Sequence, residues 1–155
     1  MDLTNKSTLK KSLEKQGTHP KKKFGQNFLI SHDVLTSFIN AAHITKKDTV
    51  VEVGPGMGII TEQLAKHAEH IIAVEKDKEI IPILKRTLGN SQNVEIANAD
   101  IRTFNPEKHG LKAFEYKLVG NLPFYLTNFL FRSFLESAAP PKSITVMVQK
   151  EVGLK

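Results

Sequence analysis

The 155-residue sequence contains no cysteine. That excludes a disulfide scaffold and any zinc site built on thiolates. It also lacks a run of eighteen apolar residues and an apolar stretch just behind Met1, which argues against a membrane span or a secretory signal. There is no internal repeat and no low-complexity tract. The six histidines (His19, His32, His43, His67, His70 and His109) show no metal-ligand spacing, so no metal is expected. What remains is ordinary globular usage, with 40% hydrophobic and 25% charged residues. Such a chain has the length of about one domain and reads as soluble, cytoplasmic and monomeric.

The net charge of +6 is unevenly placed. Residues 1–23 carry seven lysines against Asp2 and Glu14, a net +5, and residues 24–155 carry fifteen basic against fourteen acidic side chains, a net +1. The basicity is therefore an N-terminal arm ending in Lys21-Lys22-Lys23, on a nearly neutral domain spanning 24–155. A lysine-rich arm neutralises phosphates and suits a nucleic acid. A charge run alone is more simply a solvated tail. With little apolar periodicity beyond Leu9 and Leu13, the arm is expected to be mobile or weakly helical.

From Phe24 onward the pattern is periodic. Ser31 can cap a helix to Ala42, with Val34, Leu35, Phe38, Ile39 and Ala42 on one face. Thr49–Val53 reads as a buried strand, followed by Gly54-Pro55-Gly56-Met57-Gly58 and a helix bearing Ile60, Leu64, Ala65 and Ala68. Ile71–Val74 is a second strand ending at Glu75. A helix around Ile80–Leu88 follows, its start blurred by Pro82. Val94–Ala97 forms a third strand, ending near Asp100, and Tyr116–Val119 a fourth, ending at Gly120-Asn121-Leu122-Pro123-Phe124. A helix with Phe129, Leu130, Phe134 and Leu135 leads through Pro140-Pro141 to a fifth strand, Ser143–Val148. Phe129, Phe131 and Phe134 suit core and helix surface better than a stacking platform. Five strands alternating with helices predict an α/β fold, a parallel sheet wound on both faces.

In such sheets ligands bind beyond the carboxyl ends of the strands. Here four ends carry chemically useful residues. The glycine turn is not a dinucleotide fingerprint, because Ile59 stands where the third glycine belongs, and no Gly-Lys-Ser/Thr marks a P-loop. It allows close approach of a ligand without bringing a pyrophosphate. Glu75 can accept from both hydroxyls of a ribose, and Asp100 from an exocyclic adenine amine. Singly, each acid is more simply an exposed charge. Together with the turn they describe a nucleoside pocket without a phosphate subsite, which S-adenosyl-L-methionine fits.

Asn121-Leu122-Pro123-Phe124 is the sharpest feature. An exocyclic amine is a poor nucleophile because its lone pair is delocalised into the ring. The Asn121 side-chain oxygen and the Leu122 carbonyl could accept both N–H bonds and favour a pyramidal nitrogen. Pro123 fixes the turn, and Phe124 offers a face for a flipped base. Such a site works by positioning and electrostatics. Taken alone, the tetrapeptide is equally a proline turn beside a core aromatic.

Phe24-Gly25-Gln26-Asn27-Phe28-Leu29, the Glu52–Gly58 turn, Glu75, Asn98-Ala99-Asp100 and Asn121-Leu122-Pro123-Phe124 resemble, in order and spacing, the ribosomal RNA adenine N6-dimethyltransferases. The resemblance runs from about Lys21 to Val152. It implies a Rossmann-like class I S-adenosylmethionine-dependent methyltransferase fold. It places Gln26, Asn27 and Leu29 at the cofactor pocket, with Gly54 and Gly56 at the methionine part, Glu75 at the ribose and Asp100 at the adenine. Asn121, which also borders the cofactor, and the Leu122 carbonyl would hold the target amine. Phe124, where many members have Tyr, would stack on the base without a hydroxyl contact.

Gly54-Pro55-Gly56 and Gln149-Lys150-Glu151-Val152 look more like the small-subunit (16S) rRNA branch than the large-subunit, antibiotic-resistance branch. The implied partner is small-subunit rRNA or the pre-ribosomal small subunit. Members of the family continue with two more strands and a small helical domain that grips RNA. The chain is therefore expected to be a fragment, weakly active on RNA alone, with Ser143–Gln149 as an unprotected sheet edge. The competing readings are a methyltransferase for DNA adenine or a protein amide, and a non-catalytic RNA-binding or ribosome assembly factor.

Overall fold

The computed structural model describes residues 31–148, together with Ser7, Lys11, Glu14 and Lys15, which are helical and exposed. Gln26, Asn27 and Leu29 of the expected cofactor segment, and the closing Gln149–Val152, lie outside the described residues.

Ser31 caps the first helix, α1 (His32–Ala42), accepting a bond from the Val34 amide at 3.4 Å. The strands are β1 (Thr49–Val53), β2 (His70–Glu75), β3 (Val94–Asn98), β4 (Tyr116–Asn121) and β5 (Ser143–Met147). Between them run α2 (Ile59–His67), α3 (Ile81–Leu88) and α4 (Thr127–Leu135), with 3₁₀ turns at Pro106–His109 and Phe124–Leu126. All pairings are parallel, in the order β3-β2-β1-β4-β5. The order reverses between β1 and β4, so their carboxyl ends flank the crevice where such sheets bind ligands.

The apolar runs of the central strands follow from burial on both faces. Val50, Ile71, Ala73 and Val119 pack under Leu35 and Phe38 of α1, Ile60 and Leu64 of α2, and Ile83 of α3. On the other face Val51, Val53, Ile72, Val74 and Leu118 meet Ile101, Leu111, and Leu130 and Phe134 of α4. Both layers predicted from the alternation of strands and helices are therefore present.

The elements differ from their predicted bounds by one or two residues. Ala68 does not belong to α2: its backbone is extended and only its amide caps the helix, on Leu64. β4 extends to Asn121, because its last residues pair with Val53 and Met147. Pro82 does not blur α3; it sits in the first turn, where the missing N–H has no intrahelical partner to lose. Among the described residues β5 is an edge of the sheet, and its side chains are half-buried rather than bare. Ile144 and Val146 pack on one core layer and Met147 on the other.

Candidate active site

The site is assembled where β1, β2, β3 and β4 end side by side. Leaving β1, the chain makes the glycine turn, in which Gly54, Gly56 and Gly58 all have positive φ, at 64°, 56° and 90°. Gly58 opens α2, and a Cβ there would sit 2.8 Å from Leu84 Cδ1, so glycine is favoured on both conformational and packing grounds. Gly54 faces open space, with nothing within 4 Å of a notional Cβ. Its amide donates to Val74 O at 3.0 Å, which ties the turn to β2. Between β1 and β4 the backbones approach so closely that a Cβ on Gly120 would meet Val53 O at 2.9 Å.

Glu75 is the hub of this end of the sheet. It is buried, and its Oε2 accepts from the Gly56 amide at 3.1 Å while Oε1 accepts from the Asp77 amide at 2.7 Å. Burial raises the pKa of its carboxyl, against the lowering effect of those amide bonds. These amides, with a smaller contribution from that of Lys76, fix the orientation of the carboxylate. Asn98 Nδ2 donates to Glu75 O at 2.8 Å and stitches the end of β3 to β2.

Beneath the turn lies Glu52, which is 1% exposed. Burial pushes its carboxyl up to about 8, with the nearby Glu75 adding to the rise, so at neutral pH it is mostly protonated. Thr61 Oγ1, in the first turn of α2, lies beside it and partly offsets the rise, but outside hydrogen-bond geometry. Neither Thr61 Oγ1 nor Glu52 Oε2 has a partner among the described residues. The glycine turn pointed to this place in the sequence; the unpartnered Oε2 of Glu52 depends on how α2 packs and has no local signal.

Asp100 is held in a way the sequence did not indicate. Its Oδ1 accepts from the Arg102 amide at 3.0 Å, and Arg102 Nε lies 3.1 Å from both carboxyl oxygens. Arg102 Nη2 and Lys76 Nζ reach Oδ2 at 2.6 and 2.8 Å. The Arg102 guanidinium, aided by Lys76, holds this carboxyl far below the usual carboxylate range despite partial burial. An arginine two residues after a turn aspartate is the signal that could have found the first partner.

At the end of β4, Asn121 is half-buried and Leu122 is buried. The Leu122 amide donates to Met147 O at 2.9 Å, and Leu126 N closes the turn on Pro123 O at 3.1 Å. Phe124 is not a core aromatic. It is 62% exposed, beside Tyr125 at 51%, the two rings meeting edge to face at 5.7 Å. Two adjacent exposed aromatics at a strand end offer an unpaired base a stacking surface. Thr127 Oγ1, at the start of α4, is a further buried polar atom without a partner among the described residues.

The predicted residues Gly54, Gly56, Glu75, Asp100 and Asn121–Phe124 thus gather on one rim of the sheet. A sequence model of the ribosomal RNA adenine dimethylase family matches residues 17–155. The chain belongs to that family. Within it, the chain is similar to the ribosomal RNA small subunit methyltransferase A of Alkaliphilus oremlandii, with 42% identity over 135 residues covering 85% of this chain and 47% of that protein. The protein of the same name from Pediococcus pentosaceus is 40% identical over 157 residues, covering 99% and 53% respectively. This dimethylase-family chain therefore spans about half the length of the curated relatives it matches. The crystal structure of the 23S rRNA methyltransferase ErmE superposes with a TM-score of 0.71 at 28% identity, over 81% of this chain and 49% of that one. The five-stranded sheet is that of the Rossmann-like, S-adenosylmethionine-dependent methyltransferases. Among the described residues of this family member no helix is long and apolar enough to cross a membrane, and no group of three or more acidic or histidine side chains could hold a metal.

Proposed function

We propose that this chain binds S-adenosyl-L-methionine and presents adenines of small-subunit (16S) rRNA to it for N6 methylation, in ribosome biogenesis. The observation that carries the reading is the convergence on one rim of an open glycine turn, a doubly anchored buried carboxylate and a base-stacking turn. The donor set fits the cofactor. Glu75 is pre-oriented for two ribose hydroxyls, and the space before Gly54 accommodates the aminoacid part without a phosphate subsite. Bound there, the cofactor supplies an electrophilic methyl group on a sulfonium.

The protein's own task is then positioning. Asn121 and the Leu122 carbonyl accept the two N–H bonds of the target amine, which localises its lone pair. Phe124 stacks on the base. The buried apolar layers under the rim keep these groups rigid, so little reorganisation is needed during transfer. Gln26, Asn27 and Leu29 complete the pocket in this reading, on the strength of the family resemblance.

The small-subunit assignment is supported by the names of the two curated relatives, and the likeness to ErmE favours 23S rRNA as the second reading. Incubation of the protein with methyl-labelled S-adenosylmethionine and purified 16S rRNA, 23S rRNA or DNA separates them. Label on 16S rRNA adenines, lost on Asn121→Ala, is expected. Label on 23S rRNA alone would move the chain to the other branch. Binding of 16S rRNA without transfer would mark a non-catalytic assembly factor.

A further inference from the structure

We propose that Arg102 is a latch on Asp100: cofactor adenine displaces its guanidinium from the carboxylate, and the freed side chain turns to the RNA backbone. The inference rests on the cofactor reading above and adds a coupling between the two ligands. A carboxylate has about four lone-pair sites. At Asp100 the Arg102 amide and Nε occupy Oδ1, and Arg102 Nη2 and Lys76 Nζ occupy Oδ2. An adenine amine can therefore bond this carboxylate only by replacing a donor.

The donor that gives way is identifiable. The Arg102 amide belongs to a turn in which Thr103 N and Thr103 Oγ1 also bond Asp100 O, at 3.0 and 3.1 Å, so it stays. Among the described residues the only side-chain donor on Oδ1 is Arg102 Nε, and Lys76 reaches only Oδ2, so an amine that enters at Oδ1 displaces the guanidinium. That side chain is 53% exposed, so once displaced it can turn into solvent. Asp100, and to a smaller degree Tyr125 beside exposed Phe124, raise the pKa of the guanidinium. Released there, a guanidinium meets the phosphates flanking a base stacked on Phe124. Cofactor and RNA binding are then reciprocally favourable, as linkage requires.

The test titrates S-adenosylmethionine into the wild-type chain and into Arg102→Ala, by calorimetry, with and without a short adenine-containing single-stranded oligoribonucleotide. Circular dichroism and a thermal melt establish that both proteins fold alike. Without RNA, Arg102→Ala is expected to bind cofactor about two- to five-fold more tightly, the range for removing an exposed ion-pair competitor. In the wild type RNA should tighten cofactor binding, and in Arg102→Ala that enhancement should vanish. Equal or weaker cofactor binding by Arg102→Ala, or an enhancement that survives the substitution, would overturn the latch while leaving the cofactor reading intact. No cofactor binding by the folded wild type would overturn both.

Discussion

The two ends of the sheet treat their polar groups in opposite ways. At the amino end Lys117, 9% exposed, donates to His43 O at 2.7 Å and to Asp48 Oδ2 at 3.0 Å. The same Asp48 oxygen accepts from Thr45 N and Thr45 Oγ1, at 2.7 and 2.8 Å. Burial pushes the Asp48 carboxyl up, but these bonds outweigh it and the net shift is downward. Asn93 Nδ2, nearby, bonds Ala65 O and Ala68 O. At the carboxyl end lie Glu52 Oε2, Thr61 Oγ1 and Thr127 Oγ1, the three buried side-chain atoms without a partner among the described residues. Gly54 opens on empty space, and Phe124 is exposed there. Leaving buried polar groups unmatched costs stability, on the order of 1–3 kcal/mol each. One end has its buried polar groups paired; the other, where the cofactor is proposed to bind, leaves three of them unmatched among the described residues.

Breaking the functional end at its centre should have the largest effect. Asn121→Ala removes the acceptor proposed to act on the target amine, and methyl transfer is expected to fall by about 100-fold or more with the fold retained. A labelled-methyl assay beside a thermal melt checks both halves of that statement. Glu52→Gln sharpens the contrast through pH. The folded-state pKa of Glu52 is raised from 4.5 to about 8, so folding binds a proton and the wild type loses stability as pH rises through that window. The glutamine variant should lack this loss and exceed the wild type by several kcal/mol at pH 8 but not at pH 4, in denaturant melts. Parallel stability profiles for the two proteins would show that Glu52 does not titrate this way.

The amino end should answer differently. Lys117→Ala strips His43 O and Asp48 of a buried donor and should cost about 2–3 kcal/mol in urea unfolding. Cofactor affinity should stay unchanged, since the site lies at the opposite end. Gly58→Ala should have the smallest of these effects, about 1–2 kcal/mol from strained φ and the contact with Leu84. Leu84→Ala is itself costly, because Leu84 is fully buried, but in a double-mutant cycle with Gly58→Ala the coupling energy should return the steric part and not the conformational part.

How much of this was legible in the sequence follows the same division. β1 and the glycine turn were readable because an apolar run and clustered glycines are local signals. Glu75 and Asn121 stand at the ends of β2 and β4, as the apolar runs before them indicated. The partners of Asp100 were not, since Lys76 lies on another strand's exit and meets it only through the β2–β3 pairing. The lack of a partner for Glu52 Oε2 depends on where α2 lays Thr61, and the exposure of Phe124 on how its turn leaves the core. Pro82 blurred the start of α3 in the sequence because its place in the first turn is set by Ile80, whose amide donates to Asp77 O.

The most direct test of the contrast between the two ends is a nitrogen–proton NMR titration of residues 1–155 with S-adenosylmethionine. Saturable shifts confined to Gly54–Gly58, Thr61, Glu75–Asp77 and Asp100–Arg102, with Thr45, Asp48 and Lys117 unmoved, are expected. A dispersed spectrum that the cofactor leaves unchanged, or one that shifts around Asp48 and Lys117 instead, would contradict the account.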